Sequence, residues 1–510
     1  MLVHRLFILL LLNFSLFCGR SQNYRPIFHF SPPNNWTNDP NGLVYYNGEY
    51  HLFYQYNPFS DTWGHMSWGH AKSRDMMKWT HLPVAIPEIK LGNNKTAMIF
   101  SGTAVADKTN TSGFGTLQNK SPLVAIYTAH IDSAGNGLRQ YQSLAYSLDG
   151  VHFTQYQNNP VLDIGLKDFR DPKIFWYEPG KKWVMIVAKP LEFSVQFYSS
   201  QDLRSWTFLS EFSDSHGDKS KIWECPDFFE LPVENQKGNS KWVITLSGGH
   251  PQKSNFLGMQ YFIGDFDGTT FRADRLNYPL YLDNGKDFYA GIIFNNFPPS
   301  DKRKIMIGWT NCWVYANDIP SSGYRGQMSV PRELHLYKST MGEYRLRSFP
   351  AAEVNHYRAE ALFSSPAIIV KGTYPLKTVK GAALDISFIV AKGPADQAGI
   401  RILKNGKQQT VIYYDKEDNT LKLDRTASGK VDFHERFASV ESVEIAENNR
   451  EVEIRILVDR NIVEVFANRG KHVITDLVFP ETEDVTAEFF SSGSAVQFKD
   501  VEIRRMRAAR

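Results

Sequence analysis

Ser73-Arg74-Asp75-Met76-Met77-Lys78-Trp79-Thr80 is the stretch that decides the fold, because the chain repeats it. Ser147-Leu148-Asp149 is followed by Phe153-Thr154, Ser200-Gln201-Asp202 by Trp206-Thr207, and a degenerate Asp265-Phe266-Asp267 by Phe271. Each time an aromatic stands four residues after the Asp. A turn of fixed register returning every 50 to 75 residues or so marks a repeated β unit, and a propeller blade is the usual unit of that size.

The rest of the chain agrees with a β repeat. Short β-branched and aromatic runs bounded by Gly, Asn, Asp and Pro are everywhere, and no long stretch has helical periodicity. A pair of more apolar strands precedes each hairpin. The first pair, Gly42 to Tyr46 and Tyr50 to Tyr54, turns at Asn47-Gly48, a strong hairpin signal. Later pairs begin at Ser101-Gly102, Lys173, Phe228 and Phe288, so five blades are expected. The first strand of a blade lines the central channel, and the openings read Asp39-Pro40, Ser101-Gly102, Asp171-Pro172, Glu224-Cys225-Pro226-Asp227 and Asp287-Phe288. Equivalent positions converge in a propeller, so these acids are expected to meet at one point. As isolated segments they would be ordinary turns; Trp36-Thr37-Asn38-Asp39-Pro40-Asn41-Gly42 has the composition of one.

After about Pro350 the pattern becomes plain alternation, in runs such as Leu384 to Val390, Val452 to Val458 and Ile462 to Ala467. This predicts a β-sandwich. The expected division is a signal peptide at 1–21, a five-bladed propeller at 22–350 and a linker with the sandwich at 351–510. Alternation assigns Asp459 and Glu464 to the solvated turn and outer face of an edge hairpin. The leader reading rests on His4 and Arg5, an apolar run from Leu6 to Phe17 and the small residues Gly19 and Ser21. That run is too short to span a bilayer. The protein is therefore expected to be exported, to the medium, periplasm or cell surface, with lipid anchoring at Cys18 as the lesser alternative. With Cys18 removed, Cys225 and Cys312 remain, which is no disulfide framework.

Composition narrows the partner. Lys and Arg number 57 against 54 Asp and Glu, a balance that suits neither nucleic acid nor an anionic membrane surface. Aromatics are 14% of the chain, and flat rings with a polar handle fit sugar faces as well as sheet packing. His65, His70, Asp61 and His250 lack zinc or calcium ligand spacing, and neither a phosphate-binding glycine loop nor a nucleophile elbow is present. No cofactor and no metal are expected.

Carboxylates crowded into one aromatic funnel repel one another, so one stays protonated while another is ionised. Glycoside cleavage with retention needs that division: one carboxylate attacks, and an acid about 5 to 5.5 Å away protonates the leaving oxygen. Attack is assigned to Asp39, held ionised by Asn38 and Asn41. Proton donation falls to Glu224, whose reach is longer and whose neighbours Cys225 and Pro226 solvate it poorly. Asp171 is expected to stay charged beside Arg170 and to grip sugar hydroxyls.

Taken in order, Trp36 to Gly42, Phe53-Tyr54-Gln55-Tyr56-Asn57-Pro58, Trp63-Gly64-His65-Met66-Ser67-Trp68-Gly69-His70, Phe100-Ser101-Gly102, Phe169-Arg170-Asp171-Pro172 and Trp223-Glu224-Cys225-Pro226-Asp227 resemble the motifs of glycoside hydrolase family 32. The resemblance covers nearly the whole chain after the leader. It implies a five-bladed propeller with a β-sandwich, and retaining cleavage of β-fructofuranosidic bonds in levan, inulin or sucrose. It makes Asp39 the nucleophile, Glu224 the acid/base and Asp171 the transition-state stabiliser. Trp36, Asn38, Gln55, Trp63, Phe100, Ser101, Arg170 and Trp309 resemble the sugar-binding shell. Thr37 departs from the pattern, standing where an apolar residue is usual, and Cys312 departs in the Gly308 to Trp313 segment. Alternatives are a fructosyltransferase with the same acids, an endo-acting levanase or inulinase, an inverting five-bladed arabinan- or xylan-cleaving enzyme, and a sugar-binding propeller without catalysis.

Overall fold

A computed structural model describes residues 24–251, 257–298, 300–393, 395–445 and 450–509. The expected leader and Cys18 lie outside them. Among the described residues no helix is long and apolar enough to cross a membrane.

Five antiparallel sheets of four or five strands form the blades, with inner strands Asn35–Tyr46, Lys95–Ala106, Arg170–Tyr177, Glu224–Pro232 and Tyr289–Ile293. The repeated hairpin joins the third and fourth strands of its blade. Its Asp explains the motif: Asp75 Oδ1 accepts from Ser73 Oγ and from the Met77 and Lys78 amides at 2.8 to 3.0 Å. Asp149 and Asp202 repeat those bonds from their own Ser and from the second and third following amides. The indoles of Trp79 and Trp206 then close the turn on the Met76 and Leu203 carbonyls, each at 3.1 Å.

Each blade buries its faces against the next, so the apolar cores lie between blades: Val44, Phe53 and Leu123 between the first and second, and Val184, Phe228 and Ile244 between the third and fourth. The ring closes where Tyr324–Arg325 pairs in parallel with Asn35 and Trp36, and where Val44 bridges Asn295. Below its mouth the channel is filled by polar groups that satisfy one another. Lys173 Nζ meets Asp227 Oδ2 at 3.1 Å and the Ile293 carbonyl at 2.8 Å, and the Asn295 amide donates to Thr103 Oγ1 and the Ala104 and Ile174 carbonyls.

The C-terminal region is a β-sandwich in which the long strands Arg358–Lys380 and Thr486–Met506 pair with each other and link the layers. Ile462–Ala467 lies between Glu451–Val458 and His472–Leu477, so it is not an edge. Asp459 and Glu464 are fully buried, which corrects the solvated reading. Asp459 accepts from the Ile27, Phe28 and His29 amides and lies 3.0 Å from His29 Nδ1; Glu464 lies 2.9 Å from His29 Nε2 and binds the Arg332 guanidinium at 2.6 Å. Both acids fasten the sandwich to the propeller.

Candidate active site

The three acids of the site are placed by one recurrent irregularity. Each inner strand carries a β-bulge at its opening, between Thr37 and Pro40, Ile99 and Gly102, Arg170 and Lys173, Glu224 and Asp227, and Tyr289 and Ile292. Bulges re-aim side chains, and Asp171, Cys225 and Ala290 adopt positive φ within theirs (64°, 47° and 54°). Asp39 and Asp171 sit inside their bulges, whereas Glu224 is the last paired residue before its own. The acids therefore do not occupy one repeated position. Asp287 is not among them: it is buried at the domain boundary, bonded to Arg425, to Tyr315 Oη at 2.7 Å and to the Leu477 amide at 2.8 Å. Tyr289 opens the fifth blade in its place.

Asp39 is buried, with Oδ1 accepting from Asn38 Nδ2 at 3.0 Å and Oδ2 from Ser101 Oγ at 2.6 Å. Trp36 Nε1 donates to Asn38 Oδ1 at 2.7 Å, so Trp36, fully buried, orients the amide. Cys225 Sγ lies 3.5 Å from Asp39 Oδ2 and 3.7 Å from Asp171 Oδ2, and the Cys225 amide donates to Asp171 Oδ2 at 2.9 Å. One sulfur thus touches two carboxyl groups, and Glu224 precedes it in the chain. Glu224 Oε1 accepts from Arg170 Nε at 2.9 Å and Oε2 from Tyr289 Oη.

Arg170 was expected to hold Asp171 charged. Its guanidinium instead binds Glu224, Asp168 and Gln140, and burial together with repulsion from Glu224 and Asp39 raises Asp171 to about 7, against the pull of Arg170. Burial also raises Asp39, opposed by the Ser101 and Asn38 bonds. The thiol of Cys225 and the phenol of Tyr289 are pushed well up by burial, so both remain protonated donors.

Around this centre Trp63 is 41% exposed and meets Phe100 edge-on, and Phe100 stacks on His130. These rings form a rim. Gln55 and Trp309 are buried in the wall: the Gln55 amide donates to the Ile99 carbonyl at 3.0 Å, joining blades one and two, while Trp309 packs between Trp36 and Tyr289 with its indole nitrogen unbonded among the described residues. Thr37 also has a physical account, since its hydroxyl donates to the Gln55 carbonyl at 2.9 Å. The sequence places Cys225 only beside Glu224; its contacts to Asp39 and Asp171, and the bond from Tyr289 to Glu224, depend on bulges that no sequence signal marks. His70 pairs with His51 in the core and His65 with Glu88; among the described residues no group of three His, Cys, Asp or Glu side chains is arranged to hold a metal ion.

Three carboxyl groups gathered beneath aromatic rings are a set of side chains suited to glycosidic bond cleavage. Residues 29–350 match the N-terminal domain of glycosyl hydrolases family 32 and residues 354–505 match its C-terminal domain, so the chain belongs to that family and is a glycosidase. It is 43% identical to the levanase of Bacillus subtilis (strain 168), over 95% of this chain and 71% of that protein. It is 38% identical to the extracellular exo-inulinase of Aspergillus niger over 95% of both. The crystal structure of exo-inulinase from Aspergillus awamori superposes with a TM-score of 0.87 at 34% identity, covering 96% of this chain and 99% of that one.

Proposed function

We propose that the chain is an exported, retaining β-fructofuranosidase that releases fructose from levan or inulin and also cleaves sucrose. The observation that carries this reading is the Cys225 sulfur in contact with both Asp39 and Asp171, next to Glu224, because it gathers an attacking carboxylate, a proton donor and a third carboxyl in one funnel. The relatives named levanase and exo-inulinase supply the substrate class.

In the first step an Asp39 oxygen bonds to the anomeric carbon of the fructosyl unit as the bond to the leaving oxygen breaks. Glu224 delivers a proton to that oxygen. Asn38 and Ser101 fix the Asp39 carboxylate, and Arg170 and Tyr289 fix Glu224. In the second step Glu224 takes a proton from water, whose oxygen displaces Asp39 with overall retention. Burial and the neighbouring acids raise Asp171, so below about pH 7 it holds a proton and can donate to a sugar hydroxyl. Every residue named here lies on the propeller side of the proposed domain division at residue 350.

Incubating the protein separately with sucrose, inulin and levan tests the proposal. Free fructose is expected from at least one fructan and from sucrose; its absence from all three overturns the reading. Oligosaccharide growth at high sucrose in place of free fructose would make the chain a transferase.

A further inference from the structure

The inner strands that begin at the acids run down the channel and end around a second cavity. It has a volume of about 550 Å³ and lies between blades three, four and five, within the range of about 300–1,000 Å³ typical of small-molecule sites. Trp176 stands five residues below Asp171 on the same strand, which places it roughly 17 Å away at about 3.3 Å per residue. The packed Lys173, Asp227 and Asn295 groups separate the two openings, so the lower cavity is not a continuation of the funnel.

Its lining has its own chemistry. Trp176, Trp242 and Phe297 are half-buried rings, and Phe228 stacks behind Trp242 at 4.6 Å. Glu178, which accepts from the Trp176 indole and pairs with Lys181, and Glu230, which accepts from Ser240 Oγ, keep further acceptor capacity; Lys302 and Lys304 bring donors, and the lining's Asp301 and Arg303 pair with each other. Lys304 Nζ makes no direct hydrogen bond or close ion pair among the described residues; burial and the Lys173 charge push its ammonium down, against the pull of Asp227 and Glu230. An anion entering here would meet the two glutamates and a cation the two lysines. A neutral polyol uses both, its hydroxyls donating to carboxylates and accepting from Lys304 while its ring carbons lie on an indole.

We infer that this lower cavity is a second, non-catalytic saccharide site that binds a short β-fructan segment. The choice of fructan rests on the substrate reading above, since a protein gripping its own polymer at a second point raises the effective concentration of chain ends at the funnel.

The test uses the full chain with Glu224→Gln, so that an inulin or levan oligosaccharide is bound without being consumed, and counts binding events by calorimetry. Two events per chain are expected. Adding Trp176→Ala, or separately Lys304→Met, should weaken one event by about tenfold or more, as loss of a ring face or a charged donor does, and leave the other unchanged. In the otherwise unaltered enzyme each substitution should leave kcat/KM on sucrose within about twofold, a control for folding, while slowing attack on dilute polymer. A single event, unmoved by both substitutions, in a protein whose parent hydrolyses fructan overturns the second site alone. Failure of the parent to hydrolyse any fructan overturns the substrate reading instead.

Discussion

At the scale of the residue, the site is a balance between burial and hydrogen bonding. Asp39 is hidden from water, yet Ser101 and Asn38 each donate to it. If Asp39 forms the covalent bond, Asp39→Ala removes hydrolysis by about three or more orders of magnitude, and Glu224→Ala does so for substrates with a poor leaving group. Turnover measured on sucrose with folding monitored by circular dichroism checks both; near-normal turnover of Asp39→Ala would end the nucleophile assignment. Asp171 makes a different prediction. Its pKa is about 7 in the fold against 3.8 in the unfolded chain, so between those values the folded state holds the extra proton and stability falls as pH rises. Asp171→Asn should therefore stabilise the fold by on the order of 1–2 kcal/mol at pH 7.5, with no gain at pH 4, in urea titrations at the two pH values.

At the scale of the element, the decisive device is the bulge. Its turn counterpart, the Ser-x-Asp hairpin, was legible because all its bonds run between residues two or three apart. The acid motifs were legible as motifs, but their alignment was not. Asp39, Asp171 and Glu224 occupy different places relative to the bulge, and a register shift leaves no mark in composition. Ring closure by Tyr324–Arg325 has no sequence signature, because two residues carry no periodicity. That closure depends on Gly326, whose φ is +88° and where an added Cβ would lie 1.9 Å from the Thr37 carbonyl oxygen. Gly326→Ala should cost at least about 2 kcal/mol by urea unfolding and loosen the strand that carries Asp39.

At the scale of the whole molecule, propeller and sandwich are joined by buried charge. Asp459 and His29 are 430 residues apart in sequence, and Arg332 reaches both Asp283 and Glu464, so nothing local could have revealed them. Local alternation instead put both sandwich acids in solvent. His29 is raised from 6.5 to about 9 by its two carboxylate partners, which outweigh burial. A group raised in the fold contributes its full stabilisation below the unfolded value and loses it as pH climbs through the folded one. Stability should thus decline by on the order of 3 kcal/mol between pH 6.5 and 9, and His29→Gln should flatten that slope. Glu464→Ala, which leaves Arg332 and His29 with one acid fewer, should cost about 3–5 kcal/mol in thermal or urea unfolding.

If cleavage runs by double displacement through Asp39, the anomer formed when methanol replaces water reports it directly, because a methyl fructoside cannot mutarotate. Nuclear magnetic resonance of products from inulin or sucrose in aqueous methanol should show the methyl β-fructofuranoside. The α anomer as the enzymatic product would exclude double displacement.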